Sequence, residues 1–181
     1  MKEVQIVPRR NTSLEVSRQL SNQLWFQVHD GVRMPVRNQL NGVNNPMGDL
    51  FQQIEIDKAN QQEKYLIDRI KKHLEPSLLL AKYRGQSHPL AGYCYVASEA
   101  YFHLAGGKGS GLKPMQISHE GVSHWFLLND RNLTLAGSQI IDITAGQFKT
   151  PVPYSDAKGK GFLTKNPSER AQKLIDAVRN S

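Results

Sequence analysis

The stretch GYCYVASEAYFHLAGG, residues 92–107, contains the only cysteine of the 181-residue chain and decides how the rest of the sequence is interpreted. Small and apolar side chains recur there at helical spacing, and Gly106-Gly107 tolerates the left-handed conformation that ends many helices. The pattern predicts a helix from about residue 93 to 104, with Cys94 in its first turn. Such a cysteine is either a buried, inert thiol or a nucleophile.

Two features of the sequence favour a reactive Cys94. Cysteine attacks as its thiolate, which the unpaired N–H groups of a helix start stabilise, and a nearby histidine can accept the thiol proton. His124 lies in VSHWFLLN, residues 122–129, which predicts a strand. Asp142 lies in SQIIDIT, residues 138–144, which predicts a second strand in which a carboxylate needs a partner. The order Cys94, His124, Asp142 predicts a catalytic triad in which Asp142 orients the imidazole.

Donors for an oxyanion are the second requirement of this chemistry. The sequence offers the backbone N–H of Cys94 and, eight residues upstream, the side chain of Gln86. Gln86 can equally be an ordinary residue of the loop at 85–92. His119 is a weaker candidate for the base, and His88 and His103 are given no catalytic role. The sequence has no zinc-type spacing of Cys and His and no phosphate-loop motif, so we predict no metal and no cofactor.

Three pieces, GYCYVASEAYFHL, SHWFL and IIDITAGQF, resemble the catalytic core shared by papain-like and transglutaminase-like proteins. The transglutaminase-like core is the closer one, because His124-Trp125 and Asp142-Ile143-Thr144 are similar to its His-x-Trp and Asp-x-Thr pieces. The chain departs from that pattern where Trp125 directly follows His124 and where Tyr95 replaces the Trp after the cysteine. The resemblance implies an α+β fold in which the cysteine opens a helix packed on an antiparallel sheet. It also implies a protease, deamidase or transglutaminase-like activity on a protein or peptide substrate.

The series GxCYxASEA, HW, DxTAxQF and GxGFLTxxPSxRA, which covers about residues 83–178, is also similar to small phage-encoded proteins without an assigned substrate. This second resemblance leaves open a non-catalytic function, in which a phage-type protein binds a host factor or nucleic acid through a basic surface. The formal net charge of +7 permits nucleic-acid binding, but lysine and arginine form no dense block.

Two regions of different character divide the chain. Residues 1–60 are polar and rich in Asn and Gln, and we predict an N-terminal arm or extension there, followed by the catalytic domain at 61–181. Residues 38–49 contain Asn-Gly and Asn-Pro and predict a long loop. Helical and strand patterns remain alternatives within residues 14–28, where apolar side chains recur at Leu14, Leu20, Leu24 and Val28.

Further helices are predicted on either side of the triad. One has an apolar stripe that ends at Pro76, consisting of Tyr65, Leu66, Ile67, Ile70 and Leu74. The other lies near the C-terminus, with Asn166 as N-cap and Pro167 at its first position. Its buried stripe is predicted to be Ala171, Leu174, Ile175 and Val178. Between the triad and this helix, Phe162 and Leu163 are predicted to pack onto the core.

Cysteine usage and hydropathy bear on the compartment. One cysteine cannot form an internal disulfide, which is typical of a reducing compartment. The sequence has no apolar run of the roughly 20 residues that cross a bilayer and no secretory signal pattern. We therefore expect a cytoplasmic protein, in the host cytoplasm if phage-encoded, without a membrane partner.

Overall fold

The computed structural model describes residues 46–129 and 140–181, so the predictions for residues 1–45 and 130–139 lie outside it. It shows a mixed helix-and-sheet domain, which confirms the predicted α+β class. Its helices and strands follow in the order α1 (Pro46–Lys72), α2 (Cys94–Leu104), β1 (Leu112–His119), β2 (Val122–Asn129), β3 (Ile140–Ile141), β4 (Lys158–Gly159) and α3 (Glu169–Arg179). Within these residues no helix is both long and apolar enough to cross a bilayer.

The four strands form one antiparallel sheet in the order β3-β2-β1-β4. Strand β2 has the predicted bounds. Strand β1 was not predicted, because its sequence LKPMQISH lacks a regular alternation and contains Pro114. Since β4 pairs only with Met115 and Gln116, Pro114 lies where one side of β1 is nearly open and a missing N–H is tolerated.

Strand β3 ends earlier than the strand predicted for residues 138–144. It ends at Ile141, and Asp142 follows it in an irregular segment rather than lying inside a strand. The backbone turns at this point because Thr144 leads into a 3-10 turn at Ala145–Gln147. The prediction of a strand through Thr144 was therefore wrong, although its apolar residues Ile141 and Ile143 are buried.

The two faces of the sheet carry different layers. One face presents Phe126 and Ile117 to the segment at 144–157, and Val152 and Tyr154 of that segment pack against them. On the opposite face Trp125 packs edge-on against Tyr95 of α2, with 5.0 Å between ring centroids. Phe162 stacks on the same Trp125 at 5.9 Å, as the predicted core packing requires. Leu163 is 84% exposed, so its predicted burial was wrong.

Helix α3 is fixed by a cap that the sequence prediction assigned to other residues. The N-cap is Ser168, whose hydroxyl accepts from the N–H of Ala171 at 3.3 Å, and not Asn166. Buried Glu99 of α2 accepts from the Ser168 N–H at 3.0 Å and from its hydroxyl at 2.5 Å. Glu99 thus has the role that the third helical residue has in a capping box. The predicted buried stripe of this helix is confirmed at Ala171, Leu174, Ile175 and Val178.

Helix α1 begins earlier and packs less than the sequence indicated. It starts at Pro46, so residues 46–49 of the predicted loop are helical, and it continues through residue 60. Within the predicted apolar stripe, Ile70 is fully buried, whereas Tyr65 is 62% exposed. The chain then forms two 3-10 turns, Pro76–Leu78 and Ala81–Tyr83.

Candidate active site

Gly92 sets the position of the cysteine at the start of α2. Its backbone has φ +83°, and a Cβ there would lie 2.5 Å from Cβ of Tyr83 and 3.0 Å from Cδ2 of Leu79. Only glycine combines this conformation with this close approach. The chain turns at Gly92, and Cys94 becomes the first residue of α2. Within the described residues no backbone carbonyl accepts from the Cys94 N–H, as expected for the first turn of a helix.

Helix α2 runs beside β2 and holds Cys94 against it. Cys94 Sγ lies 3.7 Å from the carbonyl oxygen of Ser123, and Ser98 Oγ donates to the carbonyl of Trp125 at 3.1 Å. Cys94 and Ser98 are four residues apart on the helix, a rise of about 6 Å. Ser123 and Trp125 are two residues apart on the strand, an advance of about 6.8 Å. The two spacings are similar, so both helical side chains can contact carbonyls of β2. β3 pairs only with Leu127 and Leu128, and α2 contacts β2 at the residues before that pairing begins.

His124 and Asp142 form a buried pair. The pairing of Leu127 with Ile141, extended by one residue, sets Asp142 opposite Phe126. Asp142 therefore lies diagonally across from His124 on the same face, a relation in which side chains can touch. His124 Nε2 is 2.6 Å from Asp142 Oδ2, and the two side chains are 0% and 4% exposed. The sequence predicted contact between these two residues on neighbouring strands; the contact is present, but Asp142 lies beyond the end of β3.

The Asp142 carboxylate is held by two further donors. Its Oδ1 accepts from the N–H of Thr144 at 3.0 Å, and its Oδ2 accepts from the hydroxyl of Tyr154 at 3.0 Å. Burial and the negative charge and hydrogen bond of Asp142 raise the pKa of Tyr154, so this phenol remains a donor. Sequence reasoning missed Tyr154, because a tyrosine in the polar stretch PVPYSD has no pattern that points to a carboxylate twelve residues earlier.

The protonation of His124 follows from its neighbours. Burial lowers the pKa of His124, but hydrogen bonds with Asp142 and Cys94, together with their negative charges, outweigh it and raise the pKa to about 9. Because Asp142 binds Nε2, Nδ1 is the ring nitrogen that remains for Cys94. The structure thus brings Cys94, His124 and Asp142 together, with the imidazole between a thiol and a carboxylate.

Gln147 and Phe148 cover the imidazole. Gln147 Nε2 lies 3.4 Å from His124 Nδ1 and donates to the Thr144 carbonyl at 3.1 Å. The Phe148 ring meets the His124 ring edge-on at 4.7 Å. Both residues belong to the piece IIDITAGQF on which the family resemblance rests, but neither was predicted to contribute to the site. Their contacts explain why His124 is fully buried while Cys94 is 9% exposed.

A cleft of about 360 Å³ opens beside this cover, and Gln147, Phe148, Val122 and Ala91 contribute to its wall. Gln86, the predicted oxyanion donor, also lies on the wall and is exposed to solvent. Cys94 and His124 are not among the residues that line it. Gln147 joins the cleft to the imidazole, because this lining residue has its Nε2 3.4 Å from His124 Nδ1.

The three other histidines weighed in the sequence analysis, His88, His103 and His119, lie outside the triad. His119 ends β1, where Nε2 lies 3.2 Å from the Thr150 carbonyl, and His88 Nδ1 accepts from the N–H of Leu90 at 3.2 Å. His103 lies in the last turn of α2, and burial lowers its pKa. Over residues 46–129 and 140–181, no group of three or more His, Cys, Asp or Glu side chains is arranged to hold a metal ion.

Comparison of the chain with protein-family models, with curated proteins and with solved structures found no match.

Proposed function

We propose that this protein is a cysteine-dependent amide hydrolase or acyltransferase with a papain-like or transglutaminase-like core, and that Cys94, His124 and Asp142 are its catalytic residues. One observation carries the proposal. His124 is fully buried between a carboxylate at 2.6 Å and the only thiol of the chain, and that thiol lies at a helix start. A histidine with these two neighbours is what nucleophilic cysteine chemistry requires.

The reaction proceeds through an acyl-enzyme. The Cys94 sulfur, having given its proton to His124 Nδ1, attacks the carbonyl carbon of the substrate amide and forms a C–S bond. The carbonyl oxygen becomes an oxyanion, which the N–H of Cys94 and the side chain of Gln86 bind. The C–N bond then breaks as His124 transfers its proton to the leaving amine, and a thioester remains on Cys94.

The acceptor completes the cycle. His124 takes a proton from the incoming water or amine as that molecule attacks the thioester, and the proton returns to the sulfur when the C–S bond breaks. Water gives hydrolysis of a peptide bond or deamidation of a side-chain amide, whereas a primary amine gives acyl transfer. Asp142 keeps the Nε2 proton of His124 in place throughout, so that Nδ1 faces the reacting atoms.

Alkylation of Cys94 by iodoacetamide tests the proposal without a known substrate. Rates are measured by intact mass at pH 6.5 and pH 9.5, because the ratio of the two rates is insensitive to how deeply the sulfur is buried. An unassisted thiol with the ordinary pKa of about 8.5 is about 1% thiolate at pH 6.5, so its rate falls by more than tenfold between these values. We expect the protein to lose less than threefold.

His124→Gln and His103→Gln form the matched pair of variants for this test. His103 lies in the last turn of α2, at the opposite end of the helix from Cys94. We expect His124→Gln to restore the steep pH dependence and His103→Gln to behave like the parent protein. A steep pH dependence in the unmodified protein, unchanged in His124→Gln, would show that His124 does not activate the thiol and would overturn the proposal.

A further inference from the structure

The cleft beside the cover lies on the leaving-group side of the proposed reaction. The leaving amine must come within hydrogen-bonding reach of His124 Nδ1 to receive its proton. Gln147 Nε2 is 3.4 Å from that nitrogen, and Gln147 also lines the cleft. A part of the substrate that extends from the leaving amine past Gln147 would enter this cleft. Its volume of about 360 Å³ falls in the range of small-ligand sites and admits an amino-acid side chain.

The lining of the cleft combines apolar and polar residues and has one acidic side chain. Gln86, Ser87 and Gln147 are neutral hydrogen-bonding residues, His88 is the only basic type, and Glu120 supplies the carboxylate. The chain as a whole has a formal net charge of +7, so the carboxylate in this cleft has the opposite sign to the net charge. A carboxylate in the lining of a cleft favours a ligand with a positive charge.

Glu120 is held in place by one of its two carboxylate oxygens. Its Oε1 accepts from the N–H of Lys149 at 2.9 Å, from the N–H of Thr150 at 2.8 Å and from the Thr150 hydroxyl at 2.9 Å. These hydrogen bonds, those of Thr150 first, lower the pKa of Glu120, so the group stays ionised at neutral pH. Its closest ion-pair partner among the described residues is His119, with Nε2 3.9 Å from the same Oε1. No donor among those residues binds Oε2, which leaves it for a ligand.

The backbone at Glu120 adds a second reason to expect a specific role there. Glu120 and Gly121 form the β1–β2 turn with φ +47° and +79°, and Glu120 is the only described residue other than glycine with positive φ. Such a two-residue turn favours Asn-Gly or Asp-Gly, whose short side chains tolerate this conformation. A glutamate has the longer side chain that reaches both the Thr150 segment and the cleft.

We propose that this cleft is the leaving-group subsite of the enzyme and that Glu120 makes it select a cationic side chain, of the lysine or arginine class, on the residue whose amine is released. The assignment of this subsite rests on the proposed function, because an amine is released there only if the substrate acylates Cys94. Binding of the cationic group itself does not require catalysis.

Binding of small probes to the full chain carrying Cys94→Ala tests the subsite without turnover. N-acetyl-lysine N-methylamide and N-acetyl-norleucine N-methylamide differ by one charged group, and N-acetyl-arginine N-methylamide cannot serve as an amine acceptor. Affinities are measured by NMR titration at low salt, with the side-chain amide signals of Gln147 and Gln86 as reporters. Because an exposed ion pair contributes up to about 1 kcal/mol, we expect the two cationic probes to bind about threefold to fivefold more tightly than the norleucine probe.

Glu120→Gln keeps an acceptor oxygen for Lys149 and Thr150 and removes only the charge, and Glu169→Gln, at an exposed position of α3, is its control. We expect Glu120→Gln to reduce the preference for cationic probes to about one, while Glu169→Gln leaves it unchanged. Equal binding of all three probes by the parent chain, a preference for lysine alone, or a preference that survives Glu120→Gln overturns the proposal. If Cys94 fails the alkylation test while the charge preference persists, the proposed chemistry is wrong and the cleft remains a cation-selective binding site.

Discussion

Replacing Asp142 by asparagine removes the negative charge beside His124 and preserves the size and shape of the side chain. The pKa of His124 is raised from the ordinary 6.5 to about 9, a difference that corresponds to about 3 kcal/mol of stabilisation of the protonated form. Because the folded-state pKa is the higher one, this stabilisation is complete below about pH 6.5 and disappears as the pH rises through about 9.

In Asp142→Asn the burial of His124, which lowers its pKa, is opposed only by Cys94. We therefore expect the pKa of His124 to fall by at least about one unit. One carboxamide also cannot accept from both the Thr144 N–H and His124, as the two carboxylate oxygens do. Breaking a buried charged pair costs roughly 3–5 kcal/mol, so we expect a loss of about 3 kcal/mol in the free energy of unfolding near pH 6 and a smaller loss near pH 10.

Two measurements follow this variant. NMR titration of the imidazole carbons gives the pKa of His124, and urea denaturation at pH 6 and pH 10 gives the free energy of unfolding at each. Asp156→Asn is the control, because Asp156 is an exposed carboxylate of the segment that covers the sheet. An unchanged pKa of His124 in Asp142→Asn, with the same loss of stability at both pH values, would falsify the claim that His124 and Asp142 form a charged pair.

Three other substitutions test how the site is supported, each by urea denaturation. Gly92→Ala is expected to destabilise the protein by more than about 2 kcal/mol, since φ is +83° and the added Cβ would lie 2.5 Å from Tyr83 Cβ. Glu99→Gln is expected to cost about 2 kcal/mol, because a neutral amide replaces the buried carboxylate that binds the N–H and hydroxyl of Ser168. Tyr154→Phe is expected to cost about 1 kcal/mol through loss of its hydrogen bond to Asp142.

Each of these substitutions has a control variant elsewhere in the chain. The control makes the same chemical change at a residue that lacks the contact under test. Gly109→Ala adds a methyl group in open space, Glu169→Gln removes an exposed charge, and Tyr65→Phe removes a hydroxyl from a side chain that is 62% exposed. All three are expected to change the free energy of unfolding by less than about 0.5 kcal/mol. A test variant that is no more destabilised than its control would contradict the contact assigned to it.

The sequence was most informative where local pattern and chemistry agree. Helix α2 and strand β2 have sharp patterns, and the structure places them within one residue of the predicted bounds. The three candidate triad residues could be chosen because each is a polar or reactive type in an apolar setting, and such residues need partners. Their contact in the structure agrees with that choice, and their catalytic role stays a proposal.

Other features depend on contacts between distant parts of the chain. Strand β1 is stabilised by pairing with β2 along its whole length, so tertiary pairing overrides a sequence with proline and no alternation. The capping role of Glu99 joins residues 69 positions apart, and no local rule selects it over Glu169. Gln147 and Tyr154 reach the site from turns whose side-chain directions are set only when the segment packs on the sheet.

Turnover of p-nitrophenyl acetate tests the central claim most directly, because the acetyl group forms the proposed thioester with Cys94 and its removal requires His124. We predict a burst of about one p-nitrophenolate per chain, followed by steady release, with the acetyl group found on Cys94 by intact mass. In His124→Gln, acetylation should be slow and the thioester should persist. Acetylation of Cys94 no faster than that of glutathione, without steady release and unaffected by His124→Gln, would contradict the proposed catalytic triad.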